Sequence, residues 1–135
     1  MVSVWISATA VSLGAGLGAL LRWQLAARFD TTIWSVPLGT LLANWIGAFL
    51  IGITMAWVSN DPRIPDHWRL FLMTGFLGGL TTFSTFSAEV VTFLQEARWL
   101  SAATEILAHV AGSVIFTLLG LASFALFRDI HNLKL

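Results

Sequence analysis

The chain has 135 residues, which is enough for one domain. Hydrophobic residues make up 57% of it and charged residues only 10%, against about 25% charged residues in an ordinary soluble domain. A small soluble globule could not cover its surface with so few charges. The net charge of zero gives no electrostatic reason to expect a nucleic-acid partner. The absence of cysteine excludes disulfides and thiolate metal sites. The composition therefore indicates a small all-α integral membrane protein.

Long uncharged runs lie between the charged residues and predict four transmembrane helices. A helix of about 20 residues rises about 30 Å, which is enough to cross the hydrocarbon core of a bilayer. We expect the helices at about 3–22, 37–58, 68–96 and 102–127, the third with a break near 78–82. Together they form a single four-helix transmembrane domain over residues 1–135.

The basic residues give almost no signal for the orientation of these helices. Four spans place both termini on one side, which carries Arg63, Arg69, Arg128 and Lys134, while the other side carries Arg22, Arg28 and Arg98. A difference of one residue is a weak bias under the positive-inside rule. We therefore expect dual topology, with two oppositely inserted copies paired as an antiparallel homodimer. A fixed topology set by other signals is the alternative.

Small residues recur at helical spacing on three of the four spans. They are Gly14 and Gly18 on the first, Ala48, Gly52 and Ala56 on the second, and Gly112 and Gly120 on the fourth. Small side chains at this spacing let helix backbones approach closely in lipid. These faces therefore predict close helix packing and suit a compact oligomer.

The third span carries a segment rich in glycine, threonine and serine between Gly75 and Ser87. The pair Gly78-Gly79 lowers helix stability, and the hydroxyl groups can bond backbone carbonyls in place of helical partners. A break at this depth is tolerated only where protein or a wet cavity satisfies the freed backbone. Freed carbonyls would suit a small cation. The alternative is a glycine kink used only for packing.

Three side chains on the second and third spans are suited to an anion path. Phe83 and Phe86 are three residues apart and share one helix face. The edge of an aromatic ring carries partial positive charge and can face an anion. Asn44 offers two amide donors without a charge, although it could equally fasten two helices together.

The ionisable residues give weaker signals. Glu89 follows Phe86 by three residues, and an acid at membrane depth is a functional candidate. A carboxylate that reaches the interface is the alternative. Glu105 and His109 are four residues apart and could pair. The three histidines are scattered along the chain and predict no metal site.

These residues carry a resemblance to a known family. The run Gly-Gly-Leu-Thr-Thr-Phe-Ser-Thr-Phe-Ser from Gly78 to Ser87 resembles the signature of the Fluc (CrcB) family of bacterial fluoride channels. The stretch from Gly14 to Arg22, the run 37–40 followed by Asn44, and the pair 112–113 resemble its first, second and fourth helices. The resemblance therefore covers the whole chain.

The resemblance implies a function and a set of site residues. It implies a fluoride-selective channel, not an enzyme, that exports fluoride passively across the bacterial cytoplasmic (inner) membrane and relieves fluoride toxicity. Its partners would be fluoride, the bilayer and an inverted second copy, with two pores per dimer. A structural sodium ion would lie at the dimer centre, held by the carbonyls of Gly78 and Thr81. The implied pore residues are Asn44, Phe83, Phe86, Ser84, Thr85, Ser113, His109 and Glu89, and the implied vestibule residues are Arg22 and Thr40.

Two other functions compete with this one. A small dual-topology proton-coupled multidrug exporter needs a membrane-embedded acid, but the first span has none, and Glu89 lies away from the centre of its span. A packing subunit of a larger complex would leave the hydroxyl-rich break unexplained.

Overall fold

The computed structural model describes residues 3–29, 31–33 and 36–132. Lys134, counted above among the basic residues, lies outside these ranges. Four helical spans are long and apolar enough to cross a membrane, namely Val4–Arg28, Leu38–Asn60, Asp66–Gln95 and Trp99–Asn132. The number of spans expected from the sequence is thus confirmed.

The elements are numbered in chain order. The first two spans are α1 (Val4–Arg28) and α2 (Leu38–Asn60), and the strands β1 (Thr32–Ile33) and β2 (Val36–Pro37) lie between them. The third span consists of α3 (Asp66–Arg69), a π-helical segment (Leu70–Leu77), α4 (Gly78–Leu80) and α5 (Phe83–Gln95), and the fourth is α6 (Trp99–Asn132). The two strands pair antiparallel, so the chain is mostly helical and not purely so.

Two helices run well past the spans expected from the sequence. Helix α1 continues to Arg28, and α6 runs from Trp99 to Asn132. Hydropathy marks where a segment leaves the apolar environment, whereas a helix continues as long as its residues favour it. The segment Trp-Gln-Leu-Ala-Ala-Arg after Arg22 contains no glycine or proline that would end α1.

Glycines set the closest approaches between helices, as expected from their spacing. A Cβ atom at Gly18 would collide with the backbone carbonyl of Phe76, on the π-helical segment. Gly52 on α2 faces the backbone of α6 in the same way, at the carbonyl of Thr117. Gly120 on α6 faces the carbonyl of Phe49. The predicted packing role of these glycines is confirmed, and α1 and α2 are held against the third and fourth spans.

The outer surface of the bundle is largely apolar. Leu107, Val114 and Leu118 on α6 are exposed. The buried apolar core is small and centres on Ala43, Leu77 and Leu80. Apolar surface of this kind is stable against lipid and costly in water. With its four long apolar spans, the chain is a multi-pass membrane protein.

Candidate functional site

The helical path of the third span stops at Leu80 and resumes at Phe83. Thr81 and Thr82 between them have extended backbones, with φ and ψ of −82° and 156° and of −148° and 117°. Thr82 also caps α5, because its Oγ1 accepts from the Thr85 N–H at 3.1 Å. The two threonines therefore separate two helical segments.

Asn44 on α2 is bonded to both backbone polar groups of Thr82. Its Oδ1 accepts from the Thr82 N–H at 2.8 Å, and its Nδ2 donates to the Thr82 carbonyl oxygen at 3.1 Å. A reversed amide would set oxygen against oxygen and N–H against N–H. The pair of bonds therefore fixes the orientation of the amide, and Asn44 fastens α2 to the third span.

These contacts take the usual helical donors away from two backbone carbonyls. In a continuous helix the Gly78 carbonyl would accept from the Thr82 N–H, and the Thr81 carbonyl from the Thr85 N–H. The first donor goes to Asn44 and the second to the Thr82 hydroxyl. The two carbonyls are the ones that the resemblance assigns to sodium. Carbonyl oxygens are ligands of the type that coordinates sodium in membrane proteins, so the residues present fit such an ion.

Arg22 on α1 reaches the same part of the third span. Its Nε donates to the Gly79 carbonyl oxygen at 3.1 Å. Arg22 also lines a cavity of about 300 Å³, together with Thr40, Thr82 and Thr85. A guanidinium group at the wall of a cavity attracts anions. The two predicted vestibule residues thus share one cavity.

A larger cavity of about 440 Å³ is also lined by Thr82. Its wall includes seven of the predicted site residues, namely Asn44, Gly78, Thr81, Phe83, Phe86, His109 and Ser113. The rings of Phe83 and Phe86 lie edge to face, with centroids 5.4 Å apart and planes at 64°. Thr82, to which the resemblance assigns no role, therefore borders both cavities. Its position at the start of α5, where an N-cap threonine is favoured, is the signal that could have found it.

The remaining predicted pore residues sit around these cavities. Thr85 lines the smaller one, and its Oγ1 accepts a hydrogen bond from the Thr82 Oγ1 at 3.0 Å. Ser84 lies outside the lining of both cavities, with its Oγ 3.3 Å from the same Thr82 atom. Glu89 also lies outside both linings, and its Oε1 accepts from the Thr40 hydroxyl at 2.8 Å. The hydroxyl groups therefore cluster around Thr82, and Glu89 is attached to the wall of the smaller cavity.

Glu89, Glu105 and His109 form a compact cluster between α5 and α6. One ligating atom of each lies within 4.8 Å of the others. Glu105 is fully buried and His109 is 4% exposed. The expected pairing of Glu105 and His109 is confirmed by a distance of 3.1 Å between Oε1 and Nε2. The sequence did not show this grouping, because Glu89 comes from another helix.

Comparisons with known proteins agree with the geometry. The family model described as CrcB-like protein, Camphor Resistance (CrcB), matches residues 9–121. The chain is 52% identical over 122 residues to the fluoride-specific ion channel FluC of Tolumonas auensis, covering 90% of this chain and 96% of that protein. It is 54% identical over 120 residues to the FluC of Pseudomonas aeruginosa strain UCBPP-PA14, covering 89% and 94%. It is 49% identical over 130 residues to that of Chromohalobacter salexigens, covering 96% and 98%.

Proposed function

The chain belongs to the CrcB family, and on that premise we propose that it is a fluoride-selective ion channel of the bacterial inner membrane. It lets fluoride leave the cell passively and so relieves fluoride toxicity. The observation that carries this proposal is a similarity of 49–54% identity, over most of both chains, to proteins named fluoride-specific ion channel. As a member of an ion-channel family, the protein is not an enzyme.

The larger cavity offers an anion partial positive charges, and no lysine or arginine is among the described residues that line it. Phe83 and Phe86 present ring edges, and Ser113 presents a hydroxyl group. Fluoride is small and strongly hydrated, so a selective pore has to replace its water with donors. It must also release the ion again, because conduction requires both entry and exit. A wall of weak donors meets both conditions, and Asn44 borders it while both hydrogens of its amide are bonded within the chain.

The smaller cavity is the vestibule of this path. The Arg22 guanidinium raises the local concentration of anions there. Thr40 and Thr85 add hydroxyl groups to its wall. The hydroxyl groups of Ser84 and Thr85 lie next to Thr82, which borders both cavities. Fluoride would pass from one cavity to the other along these hydroxyl groups, with Glu89 holding Thr40 in place.

A sodium ion at the centre of the dimer would be held by the carbonyls of Gly78 and Thr81 from each copy. When bound, it supplies a fixed positive charge that favours anions without occupying their path. This chain's contribution is to keep those carbonyls free. Asn44 does so by taking the Thr82 N–H, and Thr82 does so by taking the Thr85 N–H.

The functional unit would be an antiparallel dimer with two pores. The nearly balanced basic residues support this arrangement. Phe83 supports it too, because this aromatic residue of the motif is 78% exposed in the single chain while Phe86 is 8% exposed. A second copy in the opposite orientation would cover the exposed ring and close the larger cavity, as inverted repeats do in transporters.

Efflux from liposomes that contain only this protein tests the proposal. Liposomes loaded with fluoride and chloride should release fluoride rapidly, once a potassium ionophore balances the charge, and retain chloride. A second set, loaded with a cationic dye under a proton gradient, tests the exporter, for which Glu89 and Glu105 would be the embedded acids. Dye exchange without fluoride release would contradict the channel.

A further inference from the structure

His109 contacts side chains from three helices at the wall of the larger cavity. Asn44 on α2, Phe86 on α5 and Glu105 on α6 all lie against its ring. We propose that His109 is a positioning residue, which Glu105 orients and which holds the Asn44 amide and the Phe86 ring in place. The inference rests on the proposed channel function and adds to it a role for two buried polar residues on α6.

The Asn44 amide shows which nitrogen of His109 carries the proton. Its orientation is fixed by the two bonds to Thr82, so its Nδ2 atom can only donate. The Nδ1 atom of His109 lies 3.0 Å from that Nδ2 and must accept. In a neutral imidazole the proton is then on Nε2. Both hydrogens of the Asn44 amide are thus in use, one on Thr82 and one on His109.

Glu105 lies behind the other nitrogen of the ring. Its Oε1 is 3.1 Å from Nε2 of His109, although the N–H does not point directly along the line between them. Neither oxygen of this fully buried carboxyl group has a hydrogen-bond partner among the described residues. A carboxyl group near Nε2 favours the tautomer that carries its proton there. The hydrogen bond made by one ring nitrogen determines which of the two nitrogens is protonated.

The tautomer of His109 also determines whether the cluster of Glu89, Glu105 and His109 can bind a metal ion. Carboxylates and an imidazole are ligand types found in zinc sites. A histidine ligates a metal through an unprotonated nitrogen, but here Nε2 carries the proton and Nδ1 is occupied by Asn44. The cluster therefore acts as an orienting group for His109 and not as a metal site.

Stacking connects the orientation of His109 to the aromatic part of the pore. Its ring lies on Phe86 with centroids 4.8 Å apart and planes at 28°. Phe86 in turn lies edge to face with Phe83 at 5.4 Å. The plane of the imidazole, which the contact of Nδ1 with Asn44 holds, thereby bears on the position of the Phe86 ring. A substitution at His109 would therefore affect both the Asn44 amide and the Phe86 ring.

Protonation of His109 would remove this arrangement. The Nδ1 atom would become a donor and would repel the amide hydrogen of Asn44. The charged groups that face His109 are Glu105 on its own helix and Glu89 on α5. Helix α2 carries no acidic, basic or histidine residue between 38 and 60, and α1 contributes Arg22 at the smaller cavity. The contact with Asn44 therefore requires the neutral form of His109.

Two substitutions of similar size separate the positioning role from simple packing. The His109→Gln side chain keeps one acceptor for Asn44 and one donor for Glu105, whereas the His109→Leu side chain has neither. The flux of the His109→Gln protein should stay within about twofold of the wild type, and that of the His109→Leu protein should fall about tenfold, as for one lost buried hydrogen bond. The double variant His67→Gln/His131→Gln, at the ends of the helices, serves as the control.

The test combines flux in liposomes with nitrogen NMR of protein labelled at histidine. The wild type should show Nδ1 unprotonated and Nε2 protonated at neutral pH. At one neutral pH, the flux of the control should match that of the wild type, and the His109→Leu protein should give the lowest flux of the set. The opposite tautomer, or equal flux in the Gln and Leu variants, would overturn the inference. A wild type that does not conduct fluoride would instead contradict the proposed function, and the NMR result would still decide the tautomer.

Discussion

Asn44 and Thr82 form a two-point contact, in which the amide of one side chain satisfies both the N–H and the carbonyl of the other residue at 2.8 and 3.1 Å. This contact gives hydrogen-bond partners to the backbone N–H and carbonyl of Thr82, where the third span leaves helical geometry. A buried peptide group without partners would be costly. It also draws the Thr82 N–H away from the Gly78 carbonyl. One side chain on α2 thus stabilises an irregular backbone on another helix.

Removing this amide should destabilise the protein and reduce flux. The Asn44→Leu substitution keeps the side-chain volume but leaves the Thr82 N–H and carbonyl unpaired, which costs about 1–3 kcal/mol. We expect a lower melting temperature in detergent and a loss of fluoride flux. Asn132→Leu is the control, since Asn132 is exposed at the end of α6. Equal melting temperatures for the two variants would show that the contact contributes nothing.

The ring of Phe83 should matter for flux and not for folding. Because the ring is exposed in the single chain, Phe83→Ile removes the partial positive edge at little cost to packing within the chain. We expect a strong reduction of fluoride flux from a protein that still elutes as a dimer. Phe127→Ile, at an aromatic residue that is 71% exposed near the end of α6, should conduct normally. Wild-type flux in the Phe83→Ile protein would remove the ring from the mechanism.

Sodium should stabilise the dimer. The proposed ligands are main-chain carbonyls of Gly78 and Thr81, which a substitution cannot delete, so the ion itself has to be exchanged. Dimers purified in sodium should dissociate more slowly than dimers transferred to a large organic cation at the same ionic strength, since a ligand of the assembled state stabilises it by mass action. Identical dissociation rates in the two buffers would argue against a sodium ion at the centre.

Orientation can be tested with added charge. Several lysines at the N-terminus should force one orientation, because they exceed the small difference among the native basic residues. This variant alone should lose most of its activity, and co-expression with an oppositely biased variant should restore it. Full activity from a single forced orientation would contradict the antiparallel dimer.

Two glycines on α1 offer a matched test of the packing. Gly18 lies against the backbone of Phe76, whereas a Cβ atom at Gly16 would meet nothing within 4 Å. Gly18→Ala should lower stability by about 1–3 kcal/mol, as for overpacked sites. Gly16→Ala should have no effect or a small stabilising one, since alanine favours helices. Thermal melts of the two detergent-solubilised variants give the comparison, and equal stabilities would contradict the close helix contact.

The sequence was most informative where a single segment carried the signal. Uncharged runs located four spans, because burial in lipid excludes charge over a whole helix. The break in the third span, predicted near 78–82, covered a wider range than the extended backbone occupies. Gly78 and Gly79, the residues with the lowest helix propensity, remain in α4, while the extended backbone falls on Thr81 and Thr82. Threonine accepts extended geometry readily and brings its own capping hydroxyl.

Side-chain contacts between different helices could not be predicted from the sequence. The spacing of Glu105 and His109 suggested a pair within one helix, but the approach of Glu89 depends on how α5 packs against α6. The bond between His109 and Asn44 likewise joins residues 65 positions apart. Periodicity gives the face on which a side chain lies and not the partner that it meets.

The reversal potential of currents through the purified protein in a planar bilayer tests the central claim most directly. With fluoride and chloride gradients set in opposite directions, a fluoride-selective channel should give a reversal potential close to the equilibrium potential of fluoride. A reversal potential close to that of chloride or of the cation, or a membrane that stays silent with correctly folded dimers present, would contradict it.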